Sequence, residues 1–312
     1  MSEPVAAAAA PPIVAMLGPT GVGKSAFAME LVGEYGGEII SADSRQVYRY
    51  LDIGTDKPSP EERVAVRHHA VDVVLPDQRY TVVDFRRDAS QALVEIGGRE
   101  GVAVVVGGTG QYAQSFLEGA SIPVSHRDET TRARLERHVA TVGTGEAMAE
   151  IAALDPATAE RIDANNPRRV VRALEILHST GAPIPPIQRQ PLPALVLALR
   201  MDRTRHYELI DARVERQVAS GLVEETQRVL GMGFSAELPV LSGLAYGSMI
   251  RHIDGELSLE AAIQEYKFAT HSLVRRQMTW FRKQPRVQWF DAGDSDSMSA
   301  ARRAVAEYLD AL

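Results

Sequence analysis

The eight residues at positions 18–25 carry the clearest chemical signal in the sequence, because they match the phosphate-binding pattern G-x-x-x-x-G-K-S, the P-loop. Glycines in this pattern let consecutive backbone N–H groups turn towards one anion. The lysine adds positive charge for the outer phosphates, and the serine hydroxyl can hold a magnesium ion. We therefore predict that a di- or triphosphate binds to Gly18, Pro19, Thr20, Gly21, Val22, Gly23, Lys24 and Ser25.

Asp43 is the second residue whose position suggests chemistry. Strands are predicted at Ile13–Leu17, before the P-loop, and at Glu38–Ser41, directly before Asp43. The helix between them should end at Gly36 and Gly37. In an open parallel sheet, ligand-facing groups follow the carboxyl ends of the strands, which would put Asp43 on the same rim as the P-loop. Asp is also a favoured helix N-cap, so position alone leaves a catalytic and a capping role open.

A third group of candidates follows the apolar run at 101–106, which predicts a central strand covered on both faces. The run leads into Gly107-Gly108-Thr109-Gly110. P-loop ATPases usually carry an Asp at this place to orient magnesium. Glycines there instead let a ligand approach the backbone closely, and Thr109 supplies a hydroxyl. The pattern argues against an ordinary nucleoside triphosphatase and marks Thr109 as a candidate site residue.

The segment 121–193 differs in character from the rest and predicts an inserted helical domain. It is rich in Arg, Glu and Ala, and Asn165-Asn166-Pro167 carries the start signals of a helix with Arg168 and Arg172 one turn apart. A strand pattern returns at 194–199, after a proline-rich linker. We therefore predict a P-loop α/β core formed by 13–120 and 194–312, with a parallel sheet flanked by helices.

The C-terminal part is predicted to be helical at 205–218, 222–232 and 258–283, with a glycine-bearing loop at 241–247. On the last helix, core positions are expected at Ile263, Tyr266, Thr270, Leu273 and Trp280. From 267 to 290 there are six Lys or Arg residues and no acid. A basic helix face is often only solvated surface. With Trp280 and Phe281 beside it, this face could instead bind nucleic-acid phosphates and stack bases.

The composition of the 312-residue chain is that of an ordinary globular protein, with 45% hydrophobic and 24% charged residues. The absence of Cys excludes disulfides, thiolate zinc sites and a cysteine nucleophile. Residues 1–12 read as a disordered tail rather than a signal peptide, and no run approaches membrane-spanning length. We expect a cytoplasmic protein. The net charge of −7 argues only weakly against nucleic-acid binding, because charge distribution matters more.

Taken together, the motifs resemble those of the tRNA dimethylallyltransferases, and the resemblance spans Ile13 to Phe290. The motifs that carry it are the P-loop, Ser41–Tyr48, Ile53–Pro58, Gly107–Gly110, Arg169–Glu175 and Arg276–Arg282. Their occurrence in the family's order is much more specific than any one of them.

The resemblance implies that the P-loop holds the diphosphate of dimethylallyl diphosphate rather than ATP, with Mg²⁺ on Ser25. The acceptor would be N6 of adenosine 37 in a tRNA anticodon stem-loop, with the base flipped out. Asp43 would be the general base, and Thr109 would lie near the reacting centre. Lys24 and Arg213 would stabilise the departing pyrophosphate. A monomer is expected.

The resemblance also implies a set of tRNA-binding residues. In the core these are Asp43, Ser44, Arg45, Gln46 and Thr109; in the insertion they are Arg132, Arg168, Arg169, Val170, Val171 and Arg172; and in the C-terminal part they are Ser242, Gly243, Leu244, Ala245, Tyr246, Gly247, Arg275, Arg276, Gln277, Trp280 and Arg282.

Some positions depart from the family pattern, namely Leu209, Gln111, Ala245 and His271, and they put local tRNA contacts in doubt. Three alternatives stay open. An enzyme that prenylates free adenine nucleotides would share the P-loop and Asp43 but has less need of a basic helix. A small-molecule kinase would need the magnesium-orienting Asp. An RNA-binding module would leave Asp43 without a role.

Overall fold

The computed structural model describes residues 10–121 and 128–312, so most of the tail predicted at 1–12 lies outside the described residues. The chain divides into two compact units. The first comprises the described residues up to Glu118 together with Leu192–Leu312, and the second is Gly119–Pro191. The predicted limits of the insertion, 121–193, differ from those of the second unit by two residues at each end.

The first unit is built on a parallel sheet of six strands within the described residues. Its order is β3-β2-β4-β1-β5-β6, and every pairing is parallel. The four strands expected from the sequence are confirmed, and the α/β fold class with them. The strands are β1 Ile13–Leu17, β2 Gly37–Ser41, β3 His68–His69, β4 Val102–Gly107, β5 Leu195–Arg200 and β6 Gln288–Asp291.

Helices separate and follow these strands. They are α1 Lys24–Tyr35, α2 Pro60–Ala65, α3 Val82–Gly97, α4 Gly110–Leu117, α5 Glu129–Leu154, α6 Pro156–Arg161, α7 Pro167–Thr180, α8 Arg203–Ala219, α9 Leu222–Gly231, α10 Leu244–Ile253, α11 Leu259–Phe281 and α12 Ser295–Asp310. In the part of the chain that the structure describes, no helix is long and apolar enough to cross a membrane.

Alternation along β1 shows how the sheet is covered on both faces. Ile13, Ala15 and Leu17 pack into a core that includes residues of α3 and α4. Val14 and Met16 point to the opposite core, which is completed by α1 and α12. Because both faces are buried, the strands are apolar throughout, and ligands can reach the sheet only at its ends.

The C-terminal part differs from the sequence prediction in two places. The predicted loop at 241–247 is a loop only up to Gly243, since α10 begins at Leu244 and buries Ala245 and Tyr246 completely. The expectation of helices alone after residue 200 was also wrong, because 288–291 forms edge strand β6 beside β5. β6 has four residues, too few to show a periodicity, and α10 begins within a glycine-bearing stretch that is typical of a loop.

On α11, Tyr266 and Thr270 are buried as expected, but Trp280 is 37% exposed. Phe281, expected beside the basic face, is instead the buried ring of the last turn, at 1% exposure. It packs into the core on the α3 side of the sheet and cannot stack on a base. Lys267 is also buried and pairs with Glu215 at 2.6 Å, so it adds no free charge to the basic segment.

The second unit has its own helical core. Leu135 and Ile151 of α5 pack with Val170 and Leu174 of α7, and all four are fully buried. The predicted helix after Asn165 is confirmed, because the Asn166 side chain caps α7 and the left-handed Gly181 ends it. α5 is broken at Gly143, whose φ of 82° is not helical.

Gly107→Ala tests how closely the sheet is packed where it approaches the site. A Cβ at residue 107 would lie 2.1 Å from the carbonyl oxygen of Ala42, a backbone atom that cannot rotate away. We expect a loss of about 2 kcal/mol or more in the free energy of unfolding, measured in urea. Gly98→Ala is the control, since its nearest neighbour is at 3.5 Å, and it should stay within about 0.5 kcal/mol of wild type. Equal losses in both variants would contradict this packing.

Candidate active site

Three neighbouring strands end at one cavity of about 360 Å³. β2, β4 and β1 are adjacent in the sheet, and their carboxyl ends lead into Asp43, Thr109 and the P-loop. Lys24, Asp43 and Arg213 all line this cavity. The structure therefore brings the predicted phosphate site and the predicted base together, although they are far apart in sequence.

The P-loop has the backbone shape that an anion site needs. Gly18, Gly21 and Gly23 have φ values of 134°, 76° and 97°, in the region that favours glycine. A Cβ at Gly18 would also lie 2.6 Å from the carbonyl oxygen of Leu199. Gly23 is the N-cap of α1, and no side chain among the described residues caps it. The first N–H groups of α1 and the positive end of its dipole are thus available to an anion.

Lys24 lies under the P-loop, 8% exposed, and its Nζ donates to the Pro19 carbonyl oxygen at 2.7 Å. Burial lowers the pKa of Lys24 to about 8, while Asp43 raises it, Arg213 lowers it and Asp56 raises it. The ammonium is therefore still mostly charged at pH 7. A bound anion would stabilise that charge further.

Side chains from two later helices bind the backbone and the hydroxyl of Thr20. Its N–H donates to Oε1 of Gln277 on α11 at 2.9 Å. Its carbonyl oxygen accepts from Nε2 of His206 on α8 at 2.9 Å, and its Oγ1 accepts from Nη1 of Arg213 at 3.0 Å. Burial lowers the pKa of His206, which is consistent with a neutral ring that donates through Nε2. No sequence pattern singles out His206, because the contact joins residues 186 positions apart.

Arg213 is poised to bind an anion. It is 13% exposed, and besides Thr20 its Nη1 donates to Oδ2 of Asp56 at 3.1 Å. Its Nε is buried and has no hydrogen-bond partner among the described residues. A buried N–H without an acceptor costs free energy. A phosphate oxygen entering the cavity could remove that cost.

Asp43 caps a local turn and also lines the cavity. Its Oδ1 accepts from the N–H groups of Arg45 and Gln46, at 2.8 and 3.4 Å. These bonds cap a turn rather than a helix, because no helix begins there. Within the described residues, its Oδ2 makes no hydrogen bond. Thr109 supports the same turn, since its Oγ1 accepts from the Ser44 N–H at 3.0 Å and donates to Ser44 Oγ at 3.2 Å. One carboxylate oxygen is thus structural, and the other can accept a proton.

Ser25 is exposed and lines the cavity next to Lys24, so its hydroxyl is accessible to a magnesium ion. The carboxylates of Asp43 and Asp56 line the same cavity. Oxygen donors of this kind suit Mg²⁺. No cluster of three His, Asp or Glu side chains suited to a metal occurs in the residues described. Magnesium would therefore need phosphate oxygens as well as protein ligands.

Four residues predicted to bind tRNA are core residues instead. Val170 and Val171 pack in the second unit, and Ala245 and Tyr246 pack against α11 residues in the first. All four are at most 3% exposed, so their side chains cannot reach a tRNA. The motif matches at these positions reflect packing.

Other predicted tRNA contacts are committed to the protein itself. Gln277 also donates through Nε2 to the Gly108 carbonyl oxygen at 2.9 Å, and Gln46 donates to the carbonyl oxygens of Thr55 and Asp56. Arg45 donates to the carbonyl oxygens of the 240–243 segment, and Ser44 is tied to Thr109. In the second unit, Arg132 and Arg172 both pair with buried Glu175.

The remaining predicted contacts stay available at the surface. Arg275, Arg276 and Arg282 are exposed at the C-terminal end of α11, and Arg168 and Arg169 are exposed at the start of α7. Ser242 is exposed, whereas Gly243, Leu244 and Gly247 are partly buried at the start of α10. The ring of Trp280 lies over Gly110, where a Cβ would come within 2.2 Å of it.

Comparison with known proteins gives consistent matches over this chain. A family model described as IPP transferase matches residues 46–284, and one described as Isopentenyl transferase matches residues 11–72. A tRNA dimethylallyltransferase of Roseiflexus sp. (strain RS-1) is 41% identical over 303 residues, covering 96% of this chain and 99% of that protein. One from Thermomicrobium roseum is 44% identical over 283 residues, covering 90% and 86%. The full-length tRNA isopentenylpyrophosphate transferase of Bacillus halodurans has a similar crystal structure, with a TM-score of 0.71, 34% identity, and coverage of 96% and 97%.

The pKa of Lys24 predicts how anion binding depends on pH. As the pH rises through about 8, Lys24 loses its ammonium charge. Sulfate affinity, measured by calorimetry, should therefore fall by up to about tenfold between pH 7 and 9, a range in which sulfate keeps its own charge. Lys24→Met should bind sulfate more weakly at pH 7 and show no such fall. An equally flat profile for the wild-type protein would contradict the role of Lys24.

Proposed function

The chain belongs to the IPP transferase family, a family of tRNA-modifying prenyltransferases, and on this premise we propose that it transfers a dimethylallyl group from dimethylallyl diphosphate to N6 of adenosine 37 in tRNA, releasing pyrophosphate. The observation that carries the proposal is the shared cavity. A diphosphate-binding loop and a carboxylate with a free oxygen line the same space. A group transfer needs the leaving group and the base to lie close to the same reacting atoms.

The donor's diphosphate is assigned to the P-loop. Backbone N–H groups of the loop and the start of α1 would hold its oxygens, together with Lys24 and the guanidinium of Arg213. During transfer, the bond from the allylic carbon to the diphosphate oxygen breaks, and negative charge develops on the pyrophosphate. Fixed donors that are already in place stabilise this charge without reorganising.

The acceptor adenine is assigned to the space beside Asp43 and Thr109. N6 forms the new bond to the allylic carbon, and its proton passes to Oδ2 of Asp43. Oδ1 stays bonded to the N–H of Arg45, which keeps the carboxylate oriented. The base must be extruded from its stack to reach the cavity, as in other enzymes that modify bases.

Mg²⁺ fits this site through the exposed hydroxyl of Ser25. When bound, it would supply positive charge to the diphosphate. Exposed arginines would hold the anticodon stem-loop through its phosphates, namely Arg275, Arg276 and Arg282 on α11 with Arg168 and Arg169 on α7. The monomeric state and the cytoplasmic location stay predictions.

One other function has an observation in its favour. The Isopentenyl transferase model matches residues 11–72, so prenylation of a free adenine nucleotide is the second candidate. The match of the IPP transferase model to 46–284 and the exposed basic end of α11 favour tRNA. A kinase is disfavoured because β4 ends in Gly107 and is followed by Gly108 and Thr109, without a magnesium-orienting Asp.

Mass spectrometry of tRNA nucleosides tests the proposal. Unmodified tRNA is incubated with the enzyme, dimethylallyl diphosphate and magnesium, and isopentenyladenosine at position 37 is the expected product. Parallel reactions contain AMP in place of tRNA, or ATP in place of the donor. Prenylated AMP with unmodified tRNA would support the second candidate, and no prenylated product in any reaction would overturn both.

Asp43→Asn separates catalysis from capping. Asn retains an oxygen that can accept from the N–H of Arg45, but it cannot take the proton from N6. The single-turnover rate with pre-bound tRNA should fall by roughly 10²–10⁴-fold, with donor and tRNA affinities within a few-fold of wild type. Asp43→Ala also removes the cap of the turn, so its lower melting temperature measures how much that cap stabilises the fold. A near wild-type rate in Asp43→Asn would return Asp43 to a purely structural role.

Arg282→Ala tests the basic end of α11. Each phosphate contact releases a counterion, so the variant should raise the KM for tRNA and reduce the slope of log affinity against log salt by about one. Arg276→Ala should behave in the same way, and donor affinity should not change. Arg303→Ala, exposed on α12, is the control. Unchanged tRNA affinity at every salt concentration would make this face ordinary surface.

A further inference from the structure

A carboxylate lies in the cavity assigned to a diphosphate. Asp56 lines that cavity, and its Oδ2 is 3.1 Å from Nη1 of Arg213. The Asp56 side chain is 57% exposed, whereas that of Arg213 is 13% exposed. The neighbouring Lys57 does not compete for Asp56, since its Nζ pairs with Asp52 and Asp72. An anion site thus contains a negative charge directed at one of its own cations.

The loop that carries Asp56 is held in place from two sides. The buried carboxylate of Glu225 accepts from the N–H groups of Asp52, Ile53 and Gly54, at 3.0 to 3.2 Å. The Asp56 carbonyl oxygen accepts from Nε2 of Gln46 at 2.9 Å, and the residue has a φ of 55°. A residue in this left-handed conformation is kept there only by its surroundings. The fold therefore fixes the backbone from which the Asp56 carboxylate reaches Arg213.

The N–H groups of Arg213 are unequally hydrogen-bonded among the described residues. Nη1 donates two hydrogen bonds, to Thr20 and to Asp56, while the buried Nε has no acceptor among the described residues. A guanidinium binds phosphate best through two parallel N–H groups. Turning to do so would weaken the contact with Asp56, and two anions sharing one guanidinium repel each other.

We propose that Asp56 is the resident counterion of Arg213 and that the diphosphate of the donor displaces its carboxylate. This inference rests on the proposed function, because it takes the P-loop ligand to be a diphosphate. Asp56 then lowers the affinity for donor and for product pyrophosphate alike. Its contribution is to keep the product from remaining bound after transfer.

Asp56→Asn in the full-length protein tests the proposal, with inorganic pyrophosphate as the probe. Asn tolerates the left-handed conformation, so the loop should keep its shape while the charge is lost. We expect pyrophosphate to bind about three- to tenfold more tightly by calorimetry, with a smaller gain at high salt. Its inhibition constant against the donor should fall by the same factor. Asp52→Asn is the matched control, because Asp52 lies on the same loop, is half exposed and pairs with Lys57 instead.

Three outcomes would overturn the proposal. Unchanged pyrophosphate affinity would make the Asp56–Arg213 pair an ordinary surface contact. Weaker binding would mean that Asp56 positions Arg213 or, if the loss occurs only with magnesium present, that it ligates the metal. Failure of the wild-type protein to bind pyrophosphate would contradict the donor-site assignment itself, and the Asp56 proposal with it. Titrations with and without magnesium distinguish these results.

Discussion

The architecture of the site depends on how Thr20 of the P-loop is held in place. Its N–H, its carbonyl oxygen and its hydroxyl are each bonded to a different side chain, from Gln277, His206 and Arg213. The P-loop is thus not a self-contained motif in this protein. Helices that follow the inserted unit in sequence complete it, and residues 20 and 277 meet across 257 positions. Because three side chains already order this loop, its N–H groups can bind a diphosphate without a further loss of conformational entropy.

The helix α11 contacts both the P-loop and the turn after β4. Gln277 links the P-loop to the carbonyl oxygen of Gly108, and Trp280 lies against Gly110 in the turn after β4. Arg276 and Arg282, which flank this stretch in sequence, are exposed. One short stretch of helix therefore supports the cavity with its inner side chains and offers charge to a polyanion with its outer ones. Measuring donor affinity and tRNA affinity independently therefore distinguishes the effect of a substitution on the inner face from that of one on the outer face.

The sequence predicted those parts of the protein that local pattern determines. The P-loop glycines, the strands before Asp43 and Thr109, and the capped helix at 167–180 follow from spacing and residue type, and the structure has them. Periodicity could not assign Trp280 and Phe281, because it identifies a helix face but not the element that covers it. The roles of His206, Glu225 and Asp56 depend on contacts between distant residues, which no local pattern encodes. Family motifs likewise marked Tyr246 without distinguishing a ligand contact from the core residue that supports Glu225.

The central claim is that one cavity holds the diphosphate and the reacting adenine together. A crystal structure with a non-reactive thiolo analogue of dimethylallyl diphosphate and an anticodon stem-loop measures this directly. We expect diphosphate oxygens on the P-loop N–H groups and on Arg213, and adenine N6 within about 3 Å of Oδ2 of Asp43. An adenine bound outside the cavity, or a diphosphate bound away from the P-loop, would contradict it.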